Sequence, residues 1–293
     1  FFQADDGIRD AQESRGLGDV YKRQTHRSSP TQIPGTTWGT SIGNGRMGSG
    51  VGETWSHIIR TDGTLWGMGA GTGKLGLNNN TEFSSPKQVG SDTTWSKIGS
   101  GIQNCMLGLK TDGTLWGWGD NDQGQLGVNS RTFYSSPIQI GSDTTWNNVV
   151  SNNLATFATK TDGTAWAWGS NGRGQLGQNN ETQYSSPVQI GSGTDWDTLN
   201  VGYDNVFGIK TDGTMWGWGR GDDGGLGINI GAGSQSYSSP VQIPGTTWKE
   251  VCPVHSDSAL ALKTDGTLWT WGLNSKGNLG QNNTTGYSSP VQI

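Results

Sequence analysis

The residues with the capacity for chemistry are few, and most recur at fixed spacing. Asp62, Asp112, Asp162, Asp212 and Asp265 each stand in a Thr-Asp-Gly-Thr sequence, and a ring of carboxylates would suit acid–base work if their environments drove the pKa values apart. An Asp-Gly pair between alternating strands is a turn former before it is an acid, because a type I′ turn needs positive φ at both central residues. Turn formation is therefore the role expected of all five. His26, His57 and His255 are the only histidines and belong to no motif with a mechanism attached. No base stands beside a nucleophile, so no catalytic residue is expected and the chain reads as a non-enzyme. Asp120-Asn121-Asp122-Gln123-Gly124 begins like a calcium loop, but the third oxygen ligand before the glycine and the later glutamate are missing. Arg220-Gly221-Asp222 is the tripeptide of cell-adhesion ligands and falls in a turn region. Cys105 and Cys252 stand far apart and form neither a CxxC motif nor a disulfide framework. Neither a metal site nor a cofactor is expected.

Elements able to position such residues must be short and turn-rich. Of 293 residues only 30% are hydrophobic, yet 15 are Trp and 50 are Gly, which favours closely spaced strands stacked through large rings over aliphatic helices. The net charge of −5 disfavours a nucleic-acid partner, since phosphate binding depends on Lys and Arg. No apolar stretch reaches the roughly 18–20 residues of a membrane-spanning helix, so no membrane insertion is expected. The compartment is left open, with an extracellular or cell-surface place preferred to a cytoplasmic one.

Three series of repeats keep step. Thr-Asp-Gly-Thr-x-Trp begins at Thr61, Thr111, Thr161, Thr211 and Thr264, at intervals of 50, 50, 50 and 53 residues. Ser-Ser-Pro ends at Pro30, Pro86, Pro137, Pro187, Pro240 and Pro290, and Gly-x-Leu-Gly ends at Gly76, Gly127, Gly177, Gly227 and Gly280. Apolar positions alternate with period two between Gly, Asn, Asp, Ser and Pro, which predicts four short strands per unit. In the second unit Leu107 and Leu109 lead into the Asp112-Gly113 turn, and Leu115 to Trp118 run back with Trp116 and Trp118 on one face. The next strand is expected after Ser-Ser-Pro, as in Val188-Gln189-Ile190, and the last opens at Trp95, Trp146, Trp196 or Trp248. Such units cannot bury both faces alone and must stack.

Lys-Thr-Asp-Gly-x-x-Trp-x-Trp-Gly followed by Gly-Gln-Leu-Gly resembles the RCC1 (regulator of chromosome condensation) repeat family over roughly residues 28–293. The resemblance implies an all-β fold, a β-propeller of four-stranded antiparallel blades, with five units visible here where family rings usually have seven. The chain is expected to be a partial sequence of a bacterial or viral member. Residues 1–24 match no repeat phase and carry nine charges. They are expected to be non-native or disordered, leaving 25–293 as the propeller repeats.

Structural demands recur in every unit, whereas a binding face is free to vary. The stretch before each Thr-Asp-Gly hairpin varies most: counting back five from the residue before Thr-Asp-Gly gives Trp55, Cys105, Ala155, Asn205 and Ser258. Trp55, Gln103, Asn104, Asn153, Tyr203, Asp204, His255 and Asp257 are the candidate binding residues, expected at one end of the blades. A non-catalytic scaffold binding a protein or glycan follows, with self-association expected if the propeller is incomplete. The alternative is a guanine-nucleotide exchange factor, the activity of the family's namesake; it rests on fold analogy, and the acidic charge and lack of a long insertion count against it.

Overall fold

The computed structural model describes residues 33, 35, 37–39, 55–99, 105–152, 154–230, 235–254 and 257–293. The expectation for residues 1–24 lies outside the described residues. The sheets all lie within the compact unit Thr37–Ile293.

The first sheet contains β1 (Trp55–Ile59), β2 (Leu65–Gly69) and β3 (Phe83–Gln88). The second contains β4 (Trp95–Gly99), β5 (Cys105–Lys110), β6 (Leu115–Gly119) and β7 (Tyr134–Gln139). The third contains β8 (Trp146–Ser151), β9 (Ala155–Lys160), β10 (Ala165–Gly169) and β11 (Tyr184–Gln189). The fourth contains β12 (Trp196–Val201), β13 (Asn205–Lys210), β14 (Met215–Arg220) and β15 (Ser236–Ile243). The fifth contains β16 (Trp248–Val254), β17 (Ser258–Lys263), β18 (Leu268–Gly272) and β19 (Tyr287–Gln292). All pairings are antiparallel between chain neighbours, the meander of a propeller blade. In the first sheet an isolated Trp38–Arg60 bridge stands where the others pair their first strand with the lysine before Thr-Asp-Gly.

The hairpins differ in type from the sequence expectation. Gly113 has φ 77 whereas Asp112 is not among the positive-φ residues, so the two-residue type I′ turn is excluded. Gly113 N–H donates to Lys110 O at 3.0 Å and Lys110 N–H to Thr114 O at 3.1 Å, which closes a three-residue loop with glycine in the left-handed position. A Cβ on Gly113 would lie 2.0 Å from Thr144 O, so the glycine is also needed for the approach of the chain leading into the next blade. The Ser-Ser-Pro strand was expected to start after proline, yet β11 starts at Tyr184 and includes Pro187. Its register breaks between Ala167↔Val188 and Gly169↔Tyr184, so the proline lies in an irregular stretch of an outer strand, where a missing N–H costs least.

The core lies between blades as well as within them. Leu107, Leu109, Leu115 and Ile140 of the second sheet pack with Trp146, Val149, Ala158 and Trp168 of the third. A Cβ on Gly117 would meet the Leu126, Ile140 and Leu107 side chains at 3.1–3.3 Å. Ala167 and Thr270 occupy the equivalent place in other blades.

Candidate functional site

Each blade has a turn end and a loop end, and the two carry different chemistry. At the turn end, Asp62 Oδ1 accepts the Thr64 amide at 3.0 Å and its hydroxyl at 2.6 Å, and Trp66 Nε1 donates to that hydroxyl at 2.8 Å. The same triplet recurs at Asp112, Asp162, Asp212 and Asp265. The threonine hydroxyl, then its amide, holds each carboxyl below the usual range, so these aspartates are acceptors locked in turns, as expected of turn formers.

Beside every turn a cation lies between two indoles. Lys110 Nζ stands 3.7 Å from the Trp116 ring centroid and 5.0 Å from that of Trp95, and Asp92 Oδ2 pairs with it at 2.5 Å. Lys160 repeats the arrangement with Trp146, Trp166 and Asp143, and Lys210 with Trp196, Trp216 and Asp195. The lysine ion pair is the first cause holding the Asp92 and Asp143 carboxyls down to about 2.

Blades are joined by bonds that recur once per junction. Trp118, Trp168, Trp218 and Trp271 donate their indole N–H to Lys74 O, Gln125 O, Gln175 O and Gly225 O of the preceding blade, at 2.8–3.0 Å. The amides of Asn78, Asn129, Asn179 and Asn229 donate to Ser135, Ser185, Ser238 and Ser288 carbonyls of the following blade. The second Trp of the pair is thus packing between blades.

At the loop end, Arg220 Nε donates to Asp222 Oδ2 at 2.5 Å. That bond, opposed by desolvation and aided by the charges of Asp222, Asp257 and Asp204, holds the guanidinium above its ordinary range. One carboxylate therefore pairs with the cation directly, and two more, one of them from the next blade, act on it through their charge.

The profile of the regulator of chromosome condensation (RCC1) repeat matches residues 112–151, 162–204 and 265–293, and a second profile of that description matches 96–125. The matches support the RCC1 repeat family. Solved structures agree at the level of fold. Human WBSCR16 superposes with a TM-score of 0.67 at 21% identity, over 82% of this chain and 64% of its own. Yeast RCC1 (Prp20) bound to Kap60 gives 0.68 at 18%, over 82% and 59%. Prp20p from Saccharomyces cerevisiae, described with its binding properties to Gsp1p and histones, gives 0.69 at 19%, over 82% and 61%. The chain spans about three fifths of the length of these structures. No curated protein matches at the level of sequence.

Within the repeat units, the positions singled out as most varied share one register. Trp55, Cys105, Ala155, Asn205 and Ser258 face Gly69, Gly119, Gly169, Gly219 and Gly272, and all five are buried. Trp55 is thereby corrected from a candidate surface residue to a core residue: it opens β1 with the Lys74 ammonium 5.0 Å from its ring centroid, and Lys74 pairs with Asp120 at 3.6 Å. Burial, with Asp120 adding to it, pushes the Cys105 thiol up to about 12 and leaves it unreactive at neutral pH. Tyr203 is 38% exposed, the Arg220 amide donates to Asp204 O at 2.9 Å, and the charges of Asp204 and Asp257 both act on the Arg220 guanidinium. Gln103, Asn104, Asn153 and His255 lie outside the described residues. The sequence singles out Arg220 only within the Arg220-Gly221-Asp222 tripeptide and not as a candidate binding residue; the signal was a change of sign at one repeat position, where the second unit has Asp120 and the fourth Arg220.

Asn121 and His57 have structural roles. Asn121 Nδ2 donates to Ser130 O and Thr132 O at 2.9 and 3.1 Å, and its Oδ1 accepts Leu126 N–H at 2.9 Å, so it braces its own loop. His57 occupies the strand place held by Leu107, Phe157, Phe207 and Leu260. Burial drives its imidazole down to about 4, against the opposing bond from Nε2 to Leu75 O at 3.2 Å.

Proposed function

We propose that this chain is a non-catalytic scaffold whose loop end holds a protein partner. The supporting observation is the exposed Tyr203 ring next to Asp204, whose carbonyl accepts the Arg220 amide, beside the Arg220–Asp222 pair, with the charges of Asp204 and Asp257 acting on the same guanidinium. Exposed aromatics are energetic anchors at interfaces, and the excess negative charge suits a basic face. Protein rather than glycan is favoured by the yeast structures, whose descriptions name Kap60, Gsp1p and histones as partners of those proteins. Affinity capture is run in parallel with the native chain and with Tyr203→Ala/Asp204→Ala. A protein retained only by the native chain supports the reading; equal retention by both sinks it, and a retained glycan redirects it.

A second reading, self-association, is favoured by a different face. Leu268 is 41% exposed and Ile293 53%, although the equivalent residues Leu115 and Ile140 are buried against the next blade. Apolar surface of this kind drives association. Concentration-dependent sedimentation that disappears in Leu268→Lys is the expected result, and a monomer at all concentrations removes the reading.

A further inference from the structure

The second, third and fourth blades neutralise their sandwiched lysine with a carboxylate from the four residues ending in the blade's first Trp. Those residues are Asp92-Thr-Thr-Trp95, Asp143-Thr-Thr-Trp146 and Gly193-Thr-Asp195-Trp196. The fifth blade has Gly245-Thr246-Thr247-Trp248, with no carboxylate at either place. Lys263 nevertheless remains between the two rings, its Nζ 4.6 Å from the Trp248 centroid and 4.3 Å from that of Trp269. Among the described residues no salt bridge to it is found. Asp265 feels its charge, but that carboxylate is committed to Thr267, as its equivalents are in every blade.

The place left open can be located. A Cβ built on Gly193 of the fourth blade stands 3.0 Å from Asp195 Oδ1, 3.6 Å from Trp196 Nε1 and 3.8 Å from Lys210 Nζ. A Cβ built on Gly245 stands 3.4 Å from Trp248 Nε1 and 3.4 Å from Lys263 Nζ. Both nitrogens lie close to Gly245, and the carboxylate oxygen that lies near Gly193 in the fourth blade has no counterpart here. Trp248 is 2% exposed and its indole N–H has no hydrogen-bond partner. That indole is also unpartnered at Trp38, Trp95 and Trp146, so the distinguishing feature of the fifth blade is the lysine without its carboxylate. Gly245, Thr246 and Thr247, the segment beside the lysine, are exposed. A cation without a carboxylate, close to an indole N–H without an acceptor, is chemistry suited to an anion.

We infer that the fifth blade binds a carboxylate group at Lys263, beside the Trp248 indole, as the fourth blade pairs Lys210 with its own Asp195. The site lies at the turn end, at the strand ends opposite the Tyr203 loop, and stands independently of the loop-end reading. One chemistry has two sources: an Asp or Glu side chain of a peptide, or a free small carboxylate.

The test follows the Trp248 indole N–H resonance of the full chain during titration with acetate, against chloride at equal ionic strength. A saturable shift specific to acetate is expected. Thr247→Asp supplies an internal carboxylate at the repeat position of Asp195, and Lys263→Met removes the cation. Each is expected to weaken acetate binding by at least about tenfold, the loss of one charge-assisted hydrogen bond. Because Thr247→Asp imports a residue the fourth blade already carries, loss of binding there is separated from loss of fold. A Gly-Glu-Gly peptide with blocked termini that binds more tightly than acetate supports a protein source, and acetate binding without peptide binding supports a small-molecule source. Equal shifts with chloride and acetate, or undiminished binding in Thr247→Asp, overturn the inference.

Discussion

The second, third and fourth blades and the fifth are built from the same repeat, yet their leaving faces differ. Leu115, Ala165 and Met215 are fully buried and Leu268, at the same place, is not. Asn282 keeps the left-handed φ of 54 seen at Asn78, Asn129, Asn179 and Asn229, although in those four the amide bonds the next blade's serine carbonyl and no further sheet stands beside Asn282 among the described residues. Conformation therefore belongs to the repeat, and burial belongs to the neighbour, as expected where each unit is stabilised through nearest-neighbour interfaces.

The most damaging way to break this comparison is to remove a junction tryptophan. Trp218→Ala deletes a fully buried ring and strands Gln175 O, and is expected to cost about 3–5 kcal/mol in denaturant unfolding. Met68 stands at the equivalent place in the first blade and is only half-buried, so Met68→Ala should cost far less. Equal losses would mean that the junction bonds contribute nothing specific. The comparison is sharpened by a matched pair: Leu115→Ala is expected to lose about 2–5 kcal/mol and Leu268→Ala under about 1 kcal/mol. Similar losses would show that the face around Leu268 is covered in solution.

The first blade offers a pH-dependent test. His57 takes the place of a core Leu or Phe, and its imidazole lies at about 4 when folded against an ordinary 6.5. A lowered folded value means that the unfolded chain binds the extra proton, so stability is complete above 6.5 and falls as the pH drops toward 4. Up to about 3 kcal/mol is lost across that window, a ceiling because the residue as a whole is only half-buried. His57→Leu, which copies Leu107, should flatten the profile of unfolding free energy against pH. A slope unchanged in the variant would assign the effect to the carboxylates.

Much of this was legible in the residues. Thr-Asp-Gly fixed the hairpin because the aspartate binds its own turn and the glycine admits the next segment, and both constraints act within a few residues. The turn type was misread because Asp-Gly also suits the two-residue form; only the Lys110 and Gly113 bonds decide for three. Pro187 was placed before its strand because a bulge on an outer strand depends on the partner register. Trp55 was read as surface because variability was taken as exposure, whereas its position faces Gly69 inside the blade. The Arg220 group and the Lys263 site required contacts between segments distant in sequence, which no spacing rule within one unit contains.

The smallest effect tests the equivalence of the fourth and fifth blades most directly. Thr247 is a β-branched residue at φ 67, a conformation that costs such side chains more than it costs Asp. Thr247→Asp both relieves that cost and pairs Lys263, so thermal unfolding should rise, by no more than about 1 kcal/mol in stability because the pair is solvent-exposed. The mirror change, Asp195→Thr in the fourth blade, removes a carboxylate 3.1 Å from Lys210 and should lower stability by a similar small amount. If Asp195→Thr destabilises and Thr247→Asp does nothing, Lys263 does not present its charge as Lys210 does, and the fifth blade's pocket is not the fourth blade's pocket with its carboxylate removed.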